Sequence, residues 1–265
     1  MKFSIVANPK QLDIKKILTK VIGFVNDFDI EEESAKIVGL KGVPIDKLQG
    51  DIIISLGGDG TLLYIFSKLD KPIFAINCGG VGFLTEMEQD ADLFSAIKKV
   101  EKGQYELQKL QRIDTYINDL LIGTALNEVV LHSSRVAKIQ GFEIQINKLL
   151  VDSFRGDGLI IATPTGSTSY AMSLGAPILY PTMESHIIVP IAAYRLGARP
   201  LIIPSKYTIH AKLTGNPEAV MVIDGQDEIM VTIEDSIILK QSGNPVELVR
   251  FKDNFFERVR TKLRL

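Results

Sequence analysis

The segment DIIISLGGDGTLLYIF, residues 51–66, decides the fold. Its first half, Asp51 to Leu56, is a β-rich apolar run that reads as a buried strand. The run breaks at Gly57-Gly58-Asp59-Gly60-Thr61, after which Leu62, Ile65, Phe66 and Leu69 recur at helical spacing. Pro72 to Asn77 repeats the strand signal, so the order is strand, turn, helix, strand. Alternation of this kind, opened by a buried strand at Phe3 to Ala7, predicts an α/β N-terminal domain with a mostly parallel sheet. A further helix is expected over Asp90 to Lys102, where Leu93, Ile97 and Val100 share a face and Gly103 supplies the stop.

Beyond Gly103 the texture changes. Apolar runs alternate with turn residues at Asn118-Asp119, Asn147-Lys148, Gly215-Asn216-Pro217 and Asp224-Gly225-Gln226, which predicts a β-rich, mainly antiparallel C-terminal domain. The boundary falls at residue 100, giving domains of 1–100 and 101–246. One interruption is Thr165 to Gly175, where hydroxyl residues open a short helical segment. In the tail, Phe255, Phe256, Val259 and Leu263 form an apolar stripe with Arg258, Arg260, Lys262 and Arg264 mostly off it, the pattern of a terminal helix packed on the protein.

The 265 residues are 46% hydrophobic and 23% charged, a globular composition with length enough for two modest domains. A net charge of -2 leaves no global field for nucleic acid or an anionic membrane. An anionic ligand must therefore be held locally. Cys78 is the single cysteine, which excludes an intrachain disulfide and fits a reducing compartment. No stretch reaches about 18 consecutive apolar residues, and cytoplasmic location is the expectation.

The turn Gly57 to Thr61 carries the strongest chemical signal. Glycines between strand and helix let the backbone approach a ligand, and the helix N-terminus favours phosphate. An aspartate there repels phosphate unless it binds a metal or accepts a proton in the reaction, so Asp59 is the candidate catalytic residue. A plain Asp-Gly turn is an equal reading on composition alone, and three glycines around one acid shift the balance. Gly79-Gly80-Val81-Gly82-Phe83 follows the next strand and by itself reads as a structural turn. Asn127-Glu128 interrupts the run Ala125 to Leu131, either as ligand contacts or as part of a half-exposed strand. The hydroxyls of Thr163 to Tyr170 exceed what capping needs and suit a ribose or base edge. Asp224-Gly225-Gln226 reads as a hairpin turn. His132, His186 and His210 lack metal-ligand spacing.

In order along the chain, these segments resemble the NAD kinase family. Gly57 to Thr61 is similar to its GGDGT motif, Gly79 to Glu86 to its GxxGFLTE segment, Ala125 to Glu128 to its LNE segment, Asp157 to Ser173 to its DGLIxATPTGSTAYxxS block, and Asp224 to Gln226 to its DGQ. The resemblance implies a dinucleotide held between the two domains, with residues 247–265 returning a last helix to the first. It implies that Asp59 takes the proton of the 2′-hydroxyl of the adenosine ribose of NAD while Gly57, Gly58, Gly60 and Thr61 approach phosphates. Asn127, Glu128, Thr168, Ser169 and Tyr170 would hold adenosine, and Thr165 would bind NAD or phosphate. Asp157, Ser173, Asp224 and Gln226 would help place the ligand, Phe83 would line the site, and Arg155 would meet the product's 2′-phosphate. ATP or polyphosphate as donor, a divalent metal (magnesium or manganese) and a homo-oligomer, dimer or tetramer, are implied as well. Ala192 to Leu196 departs from the family's Pro-His-Ser or Pro-His-Thr pattern, which touches subunit contacts and nicotinamide-side recognition. A lipid kinase of the diacylglycerol or sphingosine type, whose opening resembles Asn8-Pro9, and a non-catalytic dinucleotide sensor are the alternatives.

Overall fold

The computed structural model describes residues 1–195, 197–226 and 228–263. It divides into two compact units, Met1–Lys109 with Val246–Leu265, and Leu110–Pro245. In chain order the first carries β1 (Phe3–Ala7), α1 (Ile14–Ile22), β2 (Phe28–Ile30), α2 (Glu32–Val38), β3 (Ile52–Gly57), α3 (Asp59–Phe66), β4 (Ile73–Asn77), β5 (Met87–Glu88), α4 (Leu93–Glu101) and β6 (Glu106–Leu110). The second carries β7 (Ile113–Ile117), β8 (Leu120–Ala125), β9 (Glu128–Ser133), β10 (Gln140–Ile146), β11 (Leu149–Gly156), β12 (Gly158–Ala162), α5 (Tyr170–Ser173), β13 (Ser185–Ile191), β14 (Leu201–Pro204), β15 (Ile209–Thr214), β16 (Glu218–Ile223), β17 (Glu228–Thr232) and β18 (Ile237–Gln241). β19 (Val246–Arg250) and α6 (Phe255–Leu263) complete the first unit.

The sheet of the first unit runs β2-β1-β3-β4-β19-β6, with β5 beside β4. Pairings β1 to β2, β1 to β3, β3 to β4 and β4 to β19 are parallel, as the strand-helix alternation predicts. β3 is apolar at nearly every position because both faces are covered. Ile52, Ile54 and Leu56 join Leu18, Val21 and Ile97 of α1 and α4 in one core cluster, while α3 packs on β3 and β4 and buries Leu62, Ile65 and Phe66. α4 begins later than the predicted Asp90, because the Asp92 carboxylate accepts the Ser95 N–H and caps the helix there.

α6 corrects the tail's predicted stripe. Phe256 is 72% exposed, whereas Phe255 and Arg258 are buried. The inward face is Phe255, Arg258 and Lys262, spaced i, i+3 and i+7, and it meets Phe83, Glu86 and Glu88. A buried carboxylate draws the arginine inward against its polarity. Arg264 lies outside the described residues.

The second unit is two antiparallel sheets, β11-β10-β15-β18-β7-β8 and β14-β13-β12-β9-β16-β17. Phe142, Ile144 and Ile209 of one sheet share a core with Leu131, Leu159 and Ile161 of the other. Ile160 and Ala162, on the opposite face of β12, pack with Ala171 and Leu179, so β12 too reads apolar throughout. Asn118-Asp119 and Asn147-Lys148 have positive φ at both positions, the twist-matched hairpin turn that asparagine and aspartate tolerate.

Candidate active site

In the first unit the chemistry starts where β3 stops. A Cβ at Gly57 would lie 2.2 Å from Thr61 Oγ1, so only glycine lets the strand end this close under α3. Gly58 is the N-cap of α3 and Asp59 its first residue; helix N-termini present unbonded N–H groups and a positive dipole end. At Gly60 a Cβ would meet nothing within 4 Å, so sterics within the chain do not require glycine there. Thr61 is buried and its hydroxyl has no hydrogen-bond partner among the described residues. A cavity of about 320 Å³ adjoins Gly60 and Thr61, walled in addition by Asn8, Lys10, Glu31 and Tyr64. The cavity thus borders the turn at Gly60 and Thr61, beside Gly58 and Asp59 in sequence.

Both oxygens of the Asp59 carboxylate are oriented from the second glycine loop. The Phe83 N–H donates to Oδ2 at 2.8 Å and the Leu84 N–H to Oδ1 at 2.9 Å. Gly80 and Gly82 have φ of 87° and 64°, a conformation costly for L side chains, so this loop is the structural turn that its glycines suggest. It also carries the two amides that hold Asp59.

Behind the loop lies a buried ion cluster. Arg250 Nη1 and Arg258 Nη2 donate to Glu86 Oε2 at 3.2 and 3.1 Å, and the Phe251 N–H donates to Oε1 at 3.0 Å. The same guanidinium groups donate to the loop's carbonyls, Arg250 to Leu84 O at 2.9 Å and Arg258 to Phe83 O at 3.2 Å. Burial pulls the Arg250 pKa down to about 10, with repulsion from Arg258 adding and Glu86 and Asp59 opposing. Burial likewise lowers Arg258. Lys262 donates to Glu88 at 2.5 Å, and Glu88 accepts from Asn77 Nδ2 at 2.9 Å.

In the second unit Asn127 lies between β8 and β9 and Glu128 opens β9, a strand buried at some positions and partly exposed at others, and both residues are buried. Asp224, in the left-handed conformation at φ 49°, builds that junction: its carboxylate accepts the N–H groups of Leu126, Asn127 and Glu128 at 2.6, 2.7 and 3.0 Å. Gly166 packs on it, since a Cβ there would stand 2.2 Å from the Asn127 carbonyl oxygen. Ser169 donates to Glu128 Oε1 at 3.0 Å. Asn127 Oδ1, Glu128 Oε2 and Thr165 Oγ1 are buried with no hydrogen-bond partner among the described residues. Buried polar atoms are ordinarily paired, and these three have bonding capacity left for a polar ligand. Burial raises Glu128 to about 7, opposed by the Ser169 hydrogen bond and helped by repulsion from Asp224.

The hydroxyl-rich block separates into two jobs. Thr163 and Ser167 serve the fold, donating to Leu126 O and Pro164 O, while Thr168 and Ser173 close their own turns on Thr165 O and Tyr170 O. Ser169 and Thr165 belong to the polar cluster, and Tyr170 is 40% exposed beside them in sequence. Arg155 stands exposed on β11 and Asp157 lies between β11 and β12; neither side chain joins the cluster's hydrogen bonds among the described residues. Gln226 is exposed and donates its N–H to Ile223 O. Arg195, in the departing stretch, pairs with Asp152 at 2.7 Å, and Leu196 lies outside the described residues. Nothing in the sequence pairs Glu86, the end of the GxxGFLTE segment, with Arg250, which ends the apolar run from Val246, or with Arg258, which lies off the tail's stripe.

A parallel sheet with a glycine-aspartate turn at a helix N-terminus, followed by a two-sheet unit with an orphaned polar cluster, defines a class of two-unit nucleotide-binding proteins. The model of the ATP-NAD kinase N-terminal domain matches residues 25–105 and that of the C-terminal domain matches residues 126–251. An NAD kinase of Methanosarcina mazei is 38% identical over 263 residues, covering 96% of this chain and 90% of that protein. One of Methanothermobacter thermautotrophicus is 42% identical over 226 residues, covering 84% and 79%. Among solved structures, an NAD kinase from Archaeoglobus fulgidus in complex with ATP has a TM-score of 0.80 at 30% identity, with 100% and 99% coverage. Yeast NADH kinase complexed with NADH has a TM-score of 0.90 at 20% identity, with 100% and 88% coverage, a likeness of fold. The chain belongs to the NAD kinase family.

Proposed function

We propose that this chain phosphorylates the 2′-hydroxyl of the adenosine ribose of NAD, with ATP or inorganic polyphosphate as donor, to give NADP. The observation that carries the reading is Asp59, a carboxylate fixed by two amides at the head of α3 inside a glycine turn. Each carboxylate oxygen has two lone-pair directions, so one amide per oxygen leaves room for a substrate hydroxyl. As the 2′-oxygen bonds to the terminal phosphorus, its proton passes to Asp59 and the bond to the departing ADP or shortened polyphosphate breaks. A carboxylate is a far weaker base than an alkoxide, so the proton moves as the phosphoryl group transfers, not before. Gly58, Gly60 and the first turn of α3 receive phosphate, while Asn127, Glu128, Thr165 and Ser169 hold the adenosine portion.

Among the described residues no three His, Cys, Asp or Glu side chains converge as a metal cage. Magnesium commonly binds through substrate phosphates and one or two carboxylates, and this side-chain set fits a magnesium or manganese ion carried on the donor. Such an ion neutralises phosphate charge. Cytoplasmic location is supported by cysteine usage, since the single Cys78 leaves no intrachain disulfide. A homo-oligomer is supported by exposed Leu120, Leu149 and Leu150 on the edge strands β8 and β11.

The test crosses ATP and polyphosphate against NAD and NADH with either metal, measuring the 2′-phosphorylated product for wild type and Asp59→Asn. The variant should fold normally and lose about 10²- to 10⁴-fold in turnover. Tight NAD binding with no product from any donor would favour a sensor, and labelling of a lipid alcohol instead would favour the lipid kinases.

A further inference from the structure

The Phe83-Leu84 peptide is held at both ends. Its N–H donates to Asp59 at 2.9 Å and its carbonyl accepts from Arg258 at 3.2 Å. The next peptide's carbonyl, Leu84 O, accepts from Arg250 at 2.9 Å, and both guanidinium groups converge on Glu86. Asp59 and Glu86 carry two negative charges against the two positive ones, and the Glu86, Arg250 and Arg258 side chains are 3%, 9% and 11% exposed. A donor at a carbonyl polarises the peptide and strengthens its N–H as a donor on the far side. Buried pairs of this sort are weak stabilisers, because desolvation offsets their attraction. Stability alone is therefore a poor reason for three ionised side chains here.

We propose that Arg258 and Arg250, gathered on Glu86, are positioning residues for Asp59, so that β19 and α6 aim the carboxylate by fixing the peptides that bind it. The inference rests on the reading of Asp59 as proton acceptor and adds to it the residues that set its direction. Arg258 and Arg250 touch no reacting atom; they act through the loop.

The experiment is steady-state kinetics of NADP formation, with thermal unfolding in parallel, for Arg258→Met, Arg258→Lys and Glu86→Gln, each alone and combined with Asp59→Asn. Arg258→Met should lower kcat by about 10- to 100-fold, the scale of a small misplacement of a catalytic group, with KM for NAD and ATP within about twofold of wild type. Arg258→Lys should recover part of that loss. In the Asp59→Asn background the same substitutions should cost nothing further in kcat, because the group they aim is already gone. An equal fold-loss in both backgrounds, or wild-type kcat in folded Arg258→Met, overturns the proposal. If Arg258→Met does not fold, Glu86→Gln, which keeps side-chain volume and an acceptor for the Phe251 N–H, carries the same comparison: a kcat loss confined to the Asp59 background supports the proposal, and an equal loss in both overturns it. Failure of the underlying reading looks different: Asp59→Asn itself then turns over at the wild-type rate.

Discussion

Two aspartates do comparable work in different units. Asp59 takes two loop amides and Asp224 takes three, so each carboxylate shapes a segment distant in sequence. Glu128 depends on Asp224 for its place and suffers from its charge. Its pKa, raised by burial to about 7, lies above the unfolded value, so the stabilisation it gives is full below pH 4.5 and lost as pH rises through 7. Glu128→Gln should accordingly match wild type in stability near pH 4.5 and exceed it by up to about 3 kcal/mol at pH 8, while weakening NAD binding. Denaturant unfolding at the two pH values, beside the KM for NAD, checks both halves. Little of this was legible in the sequence. Asp224-Gly225-Gln226 announces a hairpin, and a hairpin is what it forms; that its carboxylate also organises residues 126–128 is a contact across nearly a hundred positions, with no local signature.

At the scale of elements, the glycines separate by what a methyl group would meet. Gly166→Ala pushes a Cβ against the backbone of the β8–β9 junction, and should cost about 1–3 kcal/mol with a higher KM for NAD. Gly60→Ala enters open space near the start of α3 and should raise stability by up to about 1 kcal/mol, while weakening binding of the donor. Melting temperature and donor KM measured on both variants decide it: a Gly60→Ala enzyme with unaltered donor KM would mean that no phosphate comes near that residue. Local pattern served well where local physics governs. The run Phe3 to Ala7 is β1, and the turns at Asn118 and Asn147 have the backbone that their residue types favour. It failed at α6, where hydropathy put Phe256 inside and Arg258 outside. Only a partner carboxylate on a remote loop reverses that order.

For the whole molecule, two buried groups act on stability in opposite directions over nearly the same pH window, Glu128 as pH rises and His186 as it falls. His186 on β13 is fully buried, neither ring nitrogen has a hydrogen-bond partner among the described residues, and burial lowers its pKa to about 4. Being depressed, it stabilises above pH 6.5 and loses that contribution as pH falls through 4, about 3 kcal/mol in all. His186→Phe should gain on wild type in melting temperature as pH falls from 6.5 to 4, with the difference between the two constant above pH 6.5; a difference that does not change with pH would remove His186 from this role. Chain order adds a last consequence. Because β19 and α6 belong to the first unit, a ribosome finishes the middle of the protein before its beginning can be completed. Residues 110–245 are all made while Glu86 still awaits its arginines, and a message cut short before Val246 would leave it without either.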